Sequence, residues 1–247
     1  MTLVANEISR HFGGLRAVDK VSFAVEKGEL FSLVGPNGAG KTTCFHTLTG
    51  FLMPTAGTIT VGGCDVSRLR PDQRVAAGIS RTFQTTTLFN GLTSVENVQV
   101  ALSRSRRHSI VRSLLMPWRS TDLRTRAEEL LEHVGATDHL NLRADELSYG
   151  AQRRLAVAIA LATEPQFVLL DEPAAGLNPR ETESFGRLLR SLVDEGLGVL
   201  LVEHDMRLVM EVSDRVHVLA QGRTLTAGTP EAVRNDPAVI AAYLGRR

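Results

Sequence analysis

The sequence predicts an α/β domain: a mostly parallel sheet with an N-terminal antiparallel β part and a helical subdomain inserted in its middle. Three observations carry this reading. First, an apolar run, Leu30-Phe31-Ser32-Leu33-Val34, leads into a glycine-rich loop, Gly35-Pro36-Asn37-Gly38-Ala39-Gly40-Lys41-Thr42-Thr43, and then into a segment suited to a helix. Second, three later apolar runs, at 167–170, 199–202 and 216–219, look like strands buried on both faces. Third, helical periodicity falls between those runs, and strands alternating with helices imply parallel pairing.

Taken in order, residues 2–34 and 57–66 carry short alternating apolar segments punctuated by glycine, such as Val21-Ser22-Phe23-Ala24-Val25 and Thr58-Ile59-Thr60-Val61. They read as antiparallel strands. Residues 85–147 show no buried-strand pattern, and Ala127 to Val134 continues a clear helix, so this stretch reads as a helical lobe inserted into a core made of 1–84 and 148–247. In 150–163, Leu155, Ala158, Ile159 and Ala162 share one helix face, and in 180–194 Phe185, Leu188, Leu189, Leu192 and Val193 do the same.

Composition narrows the class. The chain is 247 residues long, 43% hydrophobic and 22% charged, which suits one globular domain with an inserted lobe. A net charge of +1 gives no global electrostatic case for nucleic acid. No apolar run approaches the ~18 residues that a membrane-crossing helix needs, and the opening Met1–Glu7 lacks a secretory pattern. Cys44 and Cys64 are not spaced as a CxxC pair and read as reduced, partly buried packing residues of a cytosolic protein. The arginines at 104, 106, 107, 112, 119, 124 and 126, with Trp118 nearby, read as a solvated face or a membrane-proximal patch in preference to a nucleic-acid surface.

The chemistry begins at the loop. Its Gly, four residues, Gly-Lys-Thr spacing is the phosphate-loop pattern of P-loop NTPases. A triphosphate is compact and densely negative, and backbone N–H groups can ring it only where side chains are missing, hence Gly35, Gly38 and Gly40. Asn37, Thr43 and the helix N-terminus complete the cradle. Lys41 supplies a point charge for the β- and γ-phosphates, and the Thr42 hydroxyl can hold Mg²⁺. Asp171 and Glu172 follow the buried run 167–170, and strand ends of this kind are where open α/β sheets bind ligands. Asp171 there would hold Mg²⁺ directly or through water. Glu172 could orient or deprotonate an attacking water.

The next element, Leu147-Ser148-Tyr149-Gly150-Ala151-Gln152, brings the order of motifs to a family. The series resembles the ATP-binding cassette (ABC) ATPases of transporters, whose signature reads Leu-Ser-Gly-Gly-Gln; Tyr149 and Ala151 depart from it while Ser148 and Gly150 remain. The resemblance implies ATP and Mg²⁺ as ligands, with Ser148 and the backbone at Gly150 meeting the γ-phosphate held by an opposing subunit. Read from the residues alone, Ser148 is an N-cap. The resemblance further implies that Gln84, in Arg81-Thr82-Phe83-Gln84, senses Mg²⁺ and the attacking water. His204, in Glu203-His204-Asp205-Met206, would hydrogen-bond the γ-phosphate. Phe12 would stack on adenine, although it could equally be a core residue of the first strand. Ala174–Asn178 matches the dimer-contact loop, with Asn178 where many relatives carry Asp.

Arg-Thr-Phe-Gln at 81–84, Leu-Ser-Tyr-Gly at 147–150, Ala-Ala-Gly-Leu-Asn-Pro at 174–179, Glu-His-Asp-Met at 203–206 and the ending 228–245 look like the LivG-type ATPases of branched-chain amino acid importers. Importers of urea and short amides share much of this wording. The likeness implies a subunit peripheral to the cytoplasmic face of the cell membrane. Its partners would be integral membrane permease subunits, reached through Thr85–Asn97, and a second, different ABC ATPase. A solute-binding protein outside the membrane would act indirectly, and no nucleic acid is expected. Export ATPases of similar length and soluble non-transporter cassettes are the alternatives.

Overall fold

The computed structural model describes residues 1–82, 88–105 and 119–244. They form two sheets. The antiparallel sheet has the order β2-β1-β4-β5, with β1 Thr2–Phe12, β2 Leu15–Glu26, β4 Ala56–Val61 and β5 Cys64–Asp65. The six-stranded sheet has the order β10-β9-β3-β8-β7-β6, with β3 Leu30–Val34, β6 Ile79–Arg81, β7 Phe167–Asp171, β8 Gly198–Val202, β9 Arg215–Ala220 and β10 Arg223–Gly228. It is parallel except for β10, which returns antiparallel beside β9. The antiparallel reading of 2–34 therefore holds for β1 and β2 and fails for β3. Five residues buried on both faces belong in the middle of a parallel sheet, where helices and the second sheet cover both sides.

The pleat decides what each face meets. On β7 and β8, Val168, Leu170, Val199 and Leu201 point into one apolar cluster, while Phe167, Leu169, Leu200 and Val202 point into another. The first cluster is closed by α5 (Tyr149–Leu161) and α6 (Pro179–Asp194), whose Leu155, Ala158, Phe185, Leu188, Leu189 and Leu192 form the stripes expected from periodicity. The second is closed by the antiparallel sheet, through Ile8, Phe23 and Val25, and by α1 (Lys41–Leu48), through Phe45 and Leu48.

Between β6 and α5 the described elements are helical: α3 (Ser94–Ser105), α4 (Arg119–His133) and two short 3₁₀ turns. Val95, Val98 and Leu102 of α3 and Ala127 and Leu131 of α4 join the same cluster as α5, so this part shares a core with the sheet. Buried Asn97 donates to the carbonyls of Phe89, Leu92 and Thr93 and accepts from the Phe89 N–H. That fixes the 89–93 turn and leaves the Phe89 side chain exposed. Arg106, Arg107, Arg112 and Trp118 lie outside the described residues, as do the side chains of Arg104 and Arg119. Arg124 pairs with Glu128 and Arg126 with Glu164, as charges on a solvated face do. Of the cysteines, Cys44 is fully buried, but Cys64 is exposed in the two-residue strand β5, which is too short to be covered.

Arg74, on the short helix α2 (Pro71–Ala76), is 1% exposed. Its guanidinium donates to the carbonyls of Thr47 and Leu48 at 2.6 Å each, of Ser67 at 2.8 Å and of Leu69 at 3.1 Å. A cation at the C-terminal carbonyls of α1 suits the helix dipole. Burial holds the group down to about 10, still protonated at neutral pH. One side chain thus anchors the far end of the phosphate-loop helix to the antiparallel part. Arg74→Met keeps most of the volume but strands these acceptors, each worth about 1–3 kcal/mol when buried without a donor. We expect it to lower unfolding stability by at least ~3 kcal/mol, read as a shifted denaturant midpoint.

The last helices are α7 (Met206–Val212), between β8 and β9, and α8 (Pro230–Arg234) and α9 (Pro237–Leu244), after β10; their Val209, Val233 and Val239 pack with Val216 and Val218 of β9. No helix among the described residues is long and apolar enough to cross a membrane.

Candidate nucleotide site

The loop 35–43 leaves the carboxyl end of β3, the central strand of the parallel sheet. Gly35 and Gly40 are demanded by contact as well as by torsion. Gly40 has φ 101°. A Cβ there would collide with the Ala17 carbonyl oxygen, and one at Gly35 would collide with the Leu219 carbonyl oxygen. The loop is clasped between β2 and the β9–β10 turn, with the Gly222 N–H donating to the Ala39 carbonyl at 2.9 Å. No side chain caps α1 at Gly40 and no acidic residue stands in its first turn, so the positive end of the helix dipole lies at the loop without a side-chain counter-charge on the helix itself.

Lys41 is buried, and its Nζ donates to the carbonyls of Gly35 at 2.7 Å and Pro36 at 3.2 Å. The amine is thus folded back over its own loop. Burial holds its pKa below the usual lysine range, and the Glu172 and Asp171 carboxylates act the other way. Thr42 is exposed and Thr43 half-buried on the first turn of α1, while Asn37 and Gly38 are exposed at the loop's crest.

Asp171 ends β7, beside β8 and two strands from the loop. Burial, then the neighbouring Glu172 charge, pushes its carboxyl up to about 6. Asp171 Oδ1 is buried with no hydrogen-bond partner among the described residues. Glu172 follows at φ 47°, the left-handed region that a non-glycine residue enters at a cost of about 1 kcal/mol or more. That turn swings its carboxylate off the strand line. Glu172 Oε1 lies 2.6 Å from His204 Nε2, which arrives from the loop after β8. The structure thus gathers Lys41, Asp171, Glu172 and His204 into one electrostatic neighbourhood from three strand ends. Gln84 lies outside the described residues. The chain leads toward it from β6, where the Thr82 N–H donates to Leu169 of β7.

Phe12 is 44% exposed at the β1–β2 turn, with the Arg10 guanidinium 4.6 Å from its ring centroid. The core alternative for Phe12 is ruled out, and a ring presented to solvent beside Leu15 is free to stack on a planar ligand. Ser148 is the N-cap of α5, its Oγ accepting from Ala151 N–H at 3.3 Å, and it is exposed together with Tyr149. Gly150 packs against the Glu181 carboxylate. Asn178 caps α6, accepting from the N–H groups of Arg180 and Glu181, while Glu181 accepts from the Asn178 N–H. An N-cap needs a side-chain oxygen, which Asn supplies as well as Asp, so this departure leaves the loop anchored.

Glu203, which no sequence motif singles out, belongs to the same end of the sheet. It is 3% exposed, between His204 and the end of β8, and its charge helps raise Asp171. Nothing in the motif Glu203-His204-Asp205 distinguishes a buried carboxylate from a surface one.

The donor set suits a magnesium ion carried with phosphates. Among the described residues no three His, Cys, Asp or Glu side chains gather as an all-protein metal site. A single buried carboxylate with an unpartnered oxygen, together with a hydroxyl on the phosphate loop, matches an ion that takes its remaining ligands from phosphate and water.

Residues 18–175 match the family model described as ABC transporter, and residues 223–247 match the one described as Branched-chain amino acid ATP-binding cassette transporter. The high-affinity branched-chain amino acid transport ATP-binding protein LivG of Salmonella typhimurium (strain LT2) is 44% identical, over 98% of this chain and 97% of its own. BraF of Pseudomonas aeruginosa, a protein of the same description, is 43% identical over the same shares. Among solved structures, a nucleotide-free ATP-binding cassette from an ABC transporter superposes with a TM-score of 0.88 at 28% identity, covering 100% of both chains. A dimeric bacterial ABC transporter cassette superposes with a TM-score of 0.80 at 26% identity, covering 92% of this chain and 98% of its own.

Proposed function

The chain belongs to the ABC transporter family, and from that premise we propose that it is the ATP-hydrolysing subunit of an importer for branched-chain amino acids. The observation that carries the solute is the match over nearly the whole chain to LivG and BraF, which extends through the terminal stretch 223–247.

The site performs the ATPase step as follows. The loop's N–H groups, the α1 N-terminus and Lys41 hold the phosphates, and Lys41 exchanges its carbonyl partners for phosphate oxygens. Asp171 and Thr42, with Gln84, would hold Mg²⁺, which supplies charge neutralisation at the phosphates. Glu172 accepts the proton of the attacking water, and His204 orients the Glu172 carboxylate and reaches the γ-phosphate. Phe12 stacks on the base. Ser148, Gly150 and the segment Ala174–Asn178 act in trans, completing the site of a facing cassette, so that ATP favours the closed pair and hydrolysis releases it.

A different ATPase is the favoured partner. The pair would sit on the cytoplasmic side of the membrane and engage permease subunits through Thr85–Asn97 and the helical part within 85–147. Purification of the tagged chain from gently solubilised membranes tests this reading. It should recover integral membrane subunits with a second ATPase, and the reconstituted complex should import leucine, isoleucine or valine at the expense of ATP. Uptake of urea or a short amide in their place would move the solute and keep the machine. Recovery from the soluble fraction alone would sink the importer.

A further inference from the structure

We propose that Glu203 is a positioning residue for hydrolysis, whose buried carboxylate ties the loop after β7 to the loop carrying His204 and so sets the Glu172–His204 pair. The proposal rests on the ATPase reading above. β7 and β8 end in register, with Asp171 opposite Val202 and the Glu172 N–H donating to the Val202 carbonyl at 2.8 Å. Beyond that bond no backbone hydrogen bond joins the two loops among the described residues, and Glu203 bridges them. Its Oε1 accepts from the Ala174 N–H at 2.8 Å, and its Oε2 accepts from the N–H groups of His204 at 2.9 Å and Asp205 at 3.4 Å.

Three donors from two chain segments converge on one group. A carboxylate has acceptor sites on both oxygens and can serve both sides at once, whereas an amide must present a donor to one of them. Such bonds to a charged acceptor are about twice as strong as neutral ones. A shift of Ala174 is therefore carried to the backbone of His204, and through it to the 2.6 Å contact with Glu172. Ala174 opens the segment assigned above to the facing cassette. Arrival of the partner is thus relayed to the catalytic pair through protein bonds, independently of the nucleotide.

The test is a double-mutant cycle on the full chain assembled with its partner ATPase, reading ATP hydrolysis. Glu203→Gln should lower kcat by ~10- to 100-fold, as small misplacements of reacting groups do, and leave KM for ATP within about twofold, because the phosphate cradle is untouched. In a His204→Ala background the same substitution should cost under about twofold, since its route of action is already gone. A residue that merely supports the fold would cost the same factor in both backgrounds, and that result overturns the proposal. So does a raised KM with kcat unchanged. Should Glu203→Gln fail to fold, the cycle is run with Glu203→Asp, which keeps the charge but is one methylene too short to span both loops. Absence of hydrolysis by the unaltered chain assembled with its partner ATPase overturns this inference together with the ATPase reading, while hydrolysis with equal costs in both backgrounds overturns this inference alone.

Discussion

Glu172→Gln should abolish turnover while ATP still binds, trapping the closed pair of cassettes. The substitution is isosteric, so the left-handed backbone at φ 47° and the hydrogen-bond acceptor facing His204 are both retained. What is lost is the basic oxygen. An amide cannot take a proton from water, and a positioned general base contributes typically ~10²–10⁴-fold. The cradle of Gly35–Thr43 and Lys41 is unaltered, so nucleotide affinity should stay within about twofold. Closure favoured by ATP would then have no hydrolytic exit. Phosphate release, equilibrium ATP binding and elution volume in ATP, measured on the same preparation with the partner ATPase, check the three parts of this expectation. Turnover at the unaltered rate would remove Glu172 from its role and return the choice of base to the rest of the site.

The fold was legible where a strong local pattern coincides with a long element. Strands β3, β7, β8 and β9 announce themselves as short apolar runs because both their faces are covered. The stripe of α6 shows because one face only is buried. What escaped the sequence is short or non-local. β6 has three residues, too few for a periodicity, and exists because β7 offers it an edge. The parallel placement of β3 follows from its neighbours β8 and β9, which lie more than 160 residues away in the chain.

The site divides in the same way. The phosphate loop, Asp171, Glu172 and His204 stand in recognisable strings, and the parallel sheet delivers them to one end because it aligns the carboxyl ends of β3, β7 and β8. Arg74 and Glu203 were invisible for a shared reason. Each is a charged residue whose partners are backbone groups of another segment, Thr47 and Leu48 in one case and Ala174 in the other. Sequence patterns report side-chain type and period, and a bond to a distant N–H or C=O leaves no mark in either.

Lys41→Ala should weaken ATP binding itself, the second large effect. In the structure the Lys41 amine is already desolvated and bonded to the Gly35 and Pro36 carbonyls, so little new burial is needed when phosphate replaces them. Alanine removes the one point charge aimed at the β- and γ-phosphates and also the strut that holds the loop over α1. Truncating one member of a buried, hydrogen-bonded charge pair costs ~2–5 kcal/mol, equivalent to about 30- to 5,000-fold in Kd. Lys41→Arg separates the two contributions. It restores the charge, but a planar fork is too bulky for a pocket filled by a slender amine, so it should recover only part of the loss. Equilibrium titration with a fluorescent ATP analogue reads both variants. Affinity unchanged in Lys41→Ala would mean that the backbone cradle alone binds the triphosphate, and Lys41 would then be confined to the hydrolysis step, where a fall in kcat at saturating ATP would reveal it.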